Sequence, residues 1–217
     1  MFIGHYAVAL AAKKASPKVS LGTLFLAAQL VDLLWPLFLL MGLEHVRIDA
    51  GNTAVTPLDF YDYPITHSLI AALLWSALFG IAYKALKHDW RGSLVVAICV
   101  FSHWILDFIT HRPDLPLAFG DTVYFGLGLW NSVTGTLAVE TALFFAGIFL
   151  YVRTTSARDK TGFFGFWSLI SVLVIIYVAN IFGPPPPDDF SIGIAGNASW
   201  LFVVCAYWVD RHRKINE

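Results

Sequence analysis

The sequence predicts an all-α, polytopic transmembrane helical bundle, and three observations predict it. Of 217 residues, 58% are hydrophobic and only 13% are charged, against about 25% charged in an average soluble domain. Mean hydropathy is +0.68. The apolar residues gather in runs long enough for a helix to cross a bilayer core, which takes about 20 residues. A water-soluble fold of this length needs more charge on its surface. Two cysteines rule out a disulfide scaffold. The aromatic content of 16% and the net charge of −1 argue against a disordered chain and a basic nucleic-acid binder. The chain reads as a single integral-membrane domain over residues 1–217.

Each span follows from its run. Six stretches of roughly 20 residues qualify or nearly do: 20–43, 65–84, 92–110, 131–152, 162–182 and 192–209. A seventh, 1–12, is apolar but short, and predicts a tilted or half-inserted helix. No Lys or Arg precedes its apolar run and no cleavage pattern follows, so it reads as part of the fold and not as a signal peptide. Lys13, Lys14 and Lys18, then Lys84, Lys87 and Arg91, then Arg153, Arg158 and Lys160, and finally Arg211, Arg213 and Lys214 fall on one side by strict alternation. Of 14 basic residues only Arg47 and Arg112 fall on the other. The positive-inside rule then gives about seven crossings, N-terminus out and C-terminus in. Eight acids, Glu44, Asp49, Asp59, Asp62, Asp114, Asp121, Asp188 and Asp189, fall in the outer loops, and the loops at 44–64 and 111–130 are long enough to fold over a site.

Ionisable groups inside a bilayer cost several kcal/mol each, so each one needs a reason. Here they are His5, Asp32, His67, His103, Asp107 and Glu140, with His111 at an edge. At about 1.5 Å per residue, His67, Asp107, His5, His103 and Glu140 all lie within about 13 Å of the outer helix ends. Asp32 is deeper, unless Pro36 breaks its helix. The predicted inner half holds none. His103 and Asp107, four residues apart, share one helix face, which Thr110 and His111 continue. Imidazole and carboxylate on one face can address one ion. Neutral imidazoles with carboxylates suit zinc, or manganese and iron where oxygen ligands dominate. Grouped carboxylates repel unless a cation or protons sit between them.

Blander readings stand beside these. His5 can cap the first helix, and His67 can serve helix-end polarity between Thr66 and Ser68. His103 and Asp107 can form an interhelical hydrogen-bonded pair. Asp32 can be a protonated acid in a helix interface. Glu140 can carry a proton or pack on Asn131 or Asn180, and His111 with Arg112 can bind lipid phosphate. His45, His88 and His212 read as loop or solvated residues, and Cys99 and Cys205 have no assigned role.

Four strings in order resemble the bacterial membrane-bound metal-dependent hydrolase family: Gly4-His5, Asp32 with Pro36, Thr66-His67-Ser68, and Ser102-His103-x-x-x-Asp107. That family is thought to be related to zinc-dependent phospholipase C and P1-type nucleases, helical enzymes that use clustered zinc to hydrolyse phosphoesters. The resemblance covers roughly residues 1–115; beyond, Gly128-Leu129-Trp130-Asn131-Ser132 matches only loosely. It implies that His5, Asp32, His67, His103 and Asp107 are metal ligands. The chain departs from the family in two places. Asp32-Leu33-Leu34-Trp35-Pro36 stands where Asp-x-Asp-His-Pro is common, and Asp62-Tyr63-Pro64 stands where His-Arg-Gly is common. Fewer ligands imply one or two ions in place of three.

The expected activity is therefore hydrolysis of a lipid-type phosphoester, or of another lipid-linked small molecule, at the extracytoplasmic face of the cytoplasmic membrane. Nucleic acid is not expected as a partner. One carboxylate among Asp32, Asp62 and Glu140 is the expected base toward water, and Arg112 with His111 the expected anion receiver. The competing expectations are a proton- or ion-coupled transporter and a metal-stabilised structural membrane protein.

Overall fold

A computed structural model describes residues 1–216. In chain order it forms α1 (Ile3–Ala15), α2 (Leu21–Ala28), α3 (Leu30–Leu40), β1 (His45–Ile48), β2 (Leu58–Asp62), the one-turn α4 (Pro64–His67), α5 (Leu69–Lys87) and α6 (Trp90–Thr110). There follow β3 (Leu115–Pro116), β4 (Tyr124–Phe125), a 3-10 turn (Leu129–Asn131), α7 (Val133–Thr154), β5 (Thr155–Ala157), α8 (Lys160–Phe182), α9 (Asp189–Asn197), α10 (Trp200–Arg211) and β6 (Arg213–Ile215).

The helices start where the chemistry of capping says they should. The side chains of Ser20, Ser68, Asp89, Ser132, Asp159 and Asp188 each accept a hydrogen bond from the backbone N–H three residues on. This satisfies a donor that has no partner within the helix.

Among the described residues five helices are long and apolar enough to cross a membrane: α5, α6, α7, α8, and α9 with α10 taken together as Asp189–Arg211. α2 and α3 form a sixth such unit only as a pair bent by 56°. The break falls at Gln29, whose φ of −108° and ψ of 6° are not helical. It does not fall at Pro36, which lies inside α3. Large apolar side chains such as Leu74, Ile81, Phe145 and Val204 face outward. So much exposed apolar surface suits lipid rather than water.

α1 has 13 residues, or about 20 Å, short of the roughly 30 Å of a bilayer core. Yet it is largely enclosed, with eight of its 13 residues buried. Ile3, Tyr6, Ala9 and Leu10 are buried in the main core with Phe25, Val96 and Phe144. It crosses α7 at Gly147, where a Cβ would come 2.5 Å from the carbonyl oxygen of Ala7 and 2.8 Å from its Cα. Only a residue without a side chain lets the two backbones approach this closely.

The bundle has two unlike ends. At one, Lys13 Nζ donates to Asp210 Oδ1 and to the Val19 carbonyl, both at 2.9 Å. Arg91 Nε donates to the Ala15 carbonyl at 2.7 Å. There β5 and β6 pair antiparallel, Ser156 opposite Lys214, and tie the C-terminal tail to the α7–α8 turn. At the other end the β1–β2 hairpin, α4 and the 111–128 loop close over the helices. Gly128 N donates to the His111 carbonyl at 2.7 Å, and Leu127 N to the Phe108 carbonyl at 2.8 Å, so this loop is folded back on α6.

Candidate metal centre

Four elements bring the polar side chains together. His5 comes from the first turns of α1, Asp32 from the start of α3, His67 from the end of α4, and His103 and Asp107 from one face of α6. Two groups have ligand atoms all within 4.8 Å of one another: His5, His103 and Asp107, and Asp32, His67 and His103. His103 belongs to both. Asp107 Oδ1 lies 3.1 Å from His5 Nε2, and Asp107 Oδ2 lies 3.1 Å from His103 Nε2 and 3.8 Å from His67 Nε2. Asp32 Oδ1 is 3.2 Å from His67 Nε2 and 3.4 Å from His103 Nε2. The His5 and His103 rings stack with centroids 3.6 Å apart. His5, His67, His103 and Asp107 are buried, whereas the Asp32 side chain is 36% exposed and marks the open side of the cluster.

The tautomers follow from the hydrogen bonds around the rings. His103 Nδ1 donates to the Ala28 carbonyl at 2.8 Å. That carbonyl lies at the α2–α3 break, where backbone at membrane depth must find its partner in protein. Thr66 Oγ1 donates to Glu44 Oε2 at 2.8 Å and so accepts from His67 Nδ1 at 2.6 Å. With the Nδ1 proton committed in both rings, each Nε2 lone pair points toward the carboxylates. His103 Nε2 is buried and has no hydrogen-bond partner among the described residues, although two carboxylate oxygens stand within 3.4 Å. Lone pairs facing lone pairs repel. A cation between them removes the repulsion, so the donor set fits a divalent metal.

Glu44 is the participant that sequence reading misses. It reads as one more loop acid, and no local spacing ties it to His67. In the fold it is fully buried and caps α4, accepting from Ile65 N at 2.7 Å and Thr66 N at 2.9 Å. Burial pushes its carboxyl up, against the opposing pull of His67 and these hydrogen bonds.

The other expected site residues have different tasks. Glu140 Oε2 accepts from Phe2 N at 2.9 Å and Gly4 N at 3.2 Å, so it clamps the start of α1 to α7. Asp62 lies on β2, half exposed, hydrogen-bonded to His45 Nδ1 at 2.8 Å, and belongs to neither ligand group. His111 is buried, with Nδ1 2.9 Å from Asp114 Oδ1. Tyr63 donates to the same oxygen at 3.1 Å, and burial beside that carboxylate pushes its phenol up. Arg112 pairs through Nη2 with Asp59, which Arg47 also meets at 2.6 Å, and reaches Asp114 through Nε at 3.4 Å. These residues hold the hairpin to the 111–128 loop. Of them Arg112, with its side chain 38% exposed and Nη1 unpaired among the described residues, keeps a free donor toward an anion, as does the more exposed Arg47.

No family model matches the chain, and no curated protein and no solved structure is similar to it.

Proposed function

We propose that the protein is a membrane-embedded, metal-dependent hydrolase acting on a lipid-type phosphoester. The observation that carries this reading is the buried His103 Nε2, unpartnered between Asp32 and Asp107. His5, Asp32, His67, His103 and Asp107 would hold one or two zinc-like ions. Bound there, a divalent cation supplies Lewis acidity toward a phosphoryl oxygen and toward water. The resemblance of the four motif strings to membrane-bound metal-dependent hydrolases supports the phosphoester part.

The chain's own residues supply the remainder. The Ala28 carbonyl and the Thr66–Glu44 pair orient the His103 and His67 rings. Asp107, buried among three imidazoles and the Met1 ammonium, serves as a ligand. Asp32 is the exposed acid, and its Oδ2 has no hydrogen-bond partner among the described residues. It takes the proton from the attacking water at that atom. Arg112 meets the anionic head group through Nη1, since guanidinium pairs well with phosphate. In this reading the ligand end faces outward and the Lys- and Arg-rich end faces the cytoplasm. α1 enters from the outer half without crossing alone.

One observation favours a second reading, a structural metal staple. Four of the five side chains are buried, and the crevice beside them, lined by Val31, Ala72, Val100 and Trp104, is narrow. Hydrolysis of bis-p-nitrophenyl phosphate by the purified protein separates the two. Activity lost with a chelator, restored by zinc and absent in Asp32→Asn with metal retained supports the hydrolase. Stoichiometric metal without any turnover leaves the staple. A wild-type protein that binds no divalent metal refutes both.

A further inference from the structure

At the other end of α1, about 12 Å from His5 along the helix axis, lies a polar cleft of about 200 Å³. A single water needs only about 15 Å³. Lys13, Lys18, Arg158, Arg213 and Lys214 line it, with Asp210 as the only acid among the described residues. Five chain segments converge there: the end of α1, the α1–α2 turn, the α7–α8 turn, the end of α10 and β6. The β5–β6 pairing sets Arg213 opposite Ala157 and Lys214 opposite Ser156, beside Arg158.

The charges do not balance. Asp210 is taken by Lys13, which is 3% exposed. Arg213 is 7% exposed, and its guanidinium donates only to neutral groups: Thr155 Oγ1, the Gly162 carbonyl and the Thr155 carbonyl, each at 3.1 Å. It is wedged between the Tyr151 and Phe166 rings, at 5.1 and 4.8 Å from their centroids. Among the described residues Lys18, Arg158, Arg213 and Lys214 form no ion pair. Burial pulls the Arg213 guanidinium below its ordinary value. A buried cation without a counter-ion is costly, and an arriving anion relieves that cost.

We propose that this cleft is a second binding site, built for a phosphate-bearing anion, with Arg213 and Lys13 as its rigid floor and Lys18, Arg158 and Lys214 as its rim. The chemistry is that of a phosphate mono- or diester. It stands at the basic end of an apolar bundle, where phospholipid head groups of the adjoining leaflet lie. Lysines can move to follow such a group, and the buried guanidinium offers fixed donors.

The test uses the full chain in a neutral detergent. Wild type and the rim variant Lys18→Ala/Arg158→Ala/Lys214→Ala are compared by native mass spectrometry and thermal unfolding. The probes are phosphatidylglycerol, phosphatidylcholine and inorganic phosphate. Wild type should retain phosphatidylglycerol in preference to phosphatidylcholine and unfold at a higher temperature with it. The rim variant should bind on the order of 100-fold more weakly, about fivefold per cation removed. Competition by millimolar inorganic phosphate makes free phosphate a ligand; its failure to compete makes the head group the ligand, and the site stands in both cases. All three substituted side chains are exposed, and a charge-keeping variant, Lys18→Arg/Lys214→Arg, should bind as wild type does. Equal affinity of wild type and rim variant, or no binding of either probe anion, overturns the proposal.

Discussion

α1 and α5 are opposites. α5 has 19 residues and mean hydropathy 1.8, passes every length test for a span, and is only 17% buried within the bundle. α1 has 13 residues, is too short to cross alone, and is enclosed on nearly every face. The contrast teaches that hydropathy finds helices that touch lipid, whereas the centre of such a bundle can be a short helix that lipid never sees. Its small and polar residues are tolerated because they face protein. That is why His5 sits on α1, and why α5 carries no ligand.

The largest expected effect is at the centre. His103→Ala should abolish metal binding, because both ligand groups share that ring; Leu74→Ala on α5 should leave metal content unchanged. Metal analysis of the two purified variants checks this, and retention of metal by His103→Ala would break the comparison. Next, Leu10→Ala leaves a cavity around a fully buried side chain in α1 and should cost about 2–5 kcal/mol. Leu78→Ala, on the lipid side of α5, should change stability by about 0.5 kcal/mol or less. Thermal unfolding in one detergent gives both values, and similar losses would mean that α1 is less central than its burial says.

A smaller effect is expected one layer out. Thr66→Val removes the link between Glu44 and His67 and should weaken metal binding by about tenfold, measured by titration with a metal-buffered chelator. No change would mean that the Glu44 chain does not orient the ring. The smallest effect lies far from the centre. The Asp159 carboxyl, its side chain 48% exposed, is held below its ordinary value by the hydrogen bond from His212. Its folded value is the lower one, so its stabilisation exists above the unfolded value near 3.8. It fades as pH falls below that value. Asp159→Asn should flatten only this acid limb of a stability-versus-pH curve.

Much of the fold was legible because period and length are local properties. The stretches 92–110, 131–152 and 162–182 differ from α6, α7 and α8 by at most two residues at either end. The run at 192–209 is one apolar stretch, but Ala198 and Ser199 interrupt it between α9 and α10. The run 20–43 reads as one span in which Pro36 is the residue able to break the helix, and the break falls at Gln29. Pro36 lacks only one donor and leaves the carbonyl of Asp32 without its helical partner; the chain absorbs that within α3. At Gln29 the helix is interrupted, and a distant imidazole, His103, takes the Ala28 carbonyl. Nothing in residues 20–43 announces this. The same holds for Glu44, whose partners are 21 and 22 residues away. Depth brings His5, His67, His103 and Asp107 to one level, and misplaced charge at one level needs one explanation, but it brings Glu140 with them and leaves Asp32 deeper; the set of five follows from the resemblance. The tasks of Glu140, Asp62 and His111 were not legible, because depth cannot tell a helix clamp or a loop anchor from a reacting group.

The bond from His103 Nδ1 to the Ala28 carbonyl gives one imidazole a double duty. One nitrogen fills the gap where a helix is interrupted, and the other faces the place where a cation fits. A lineage without the proposed chemistry would therefore still be held to an imidazole at position 103, because losing it leaves an unmet peptide oxygen inside the bundle. Persistence of that ring among descendants would be evidence of architecture before it was evidence of turnover, and only the fate of Asp32, which no backbone depends on, would report the proposed activity.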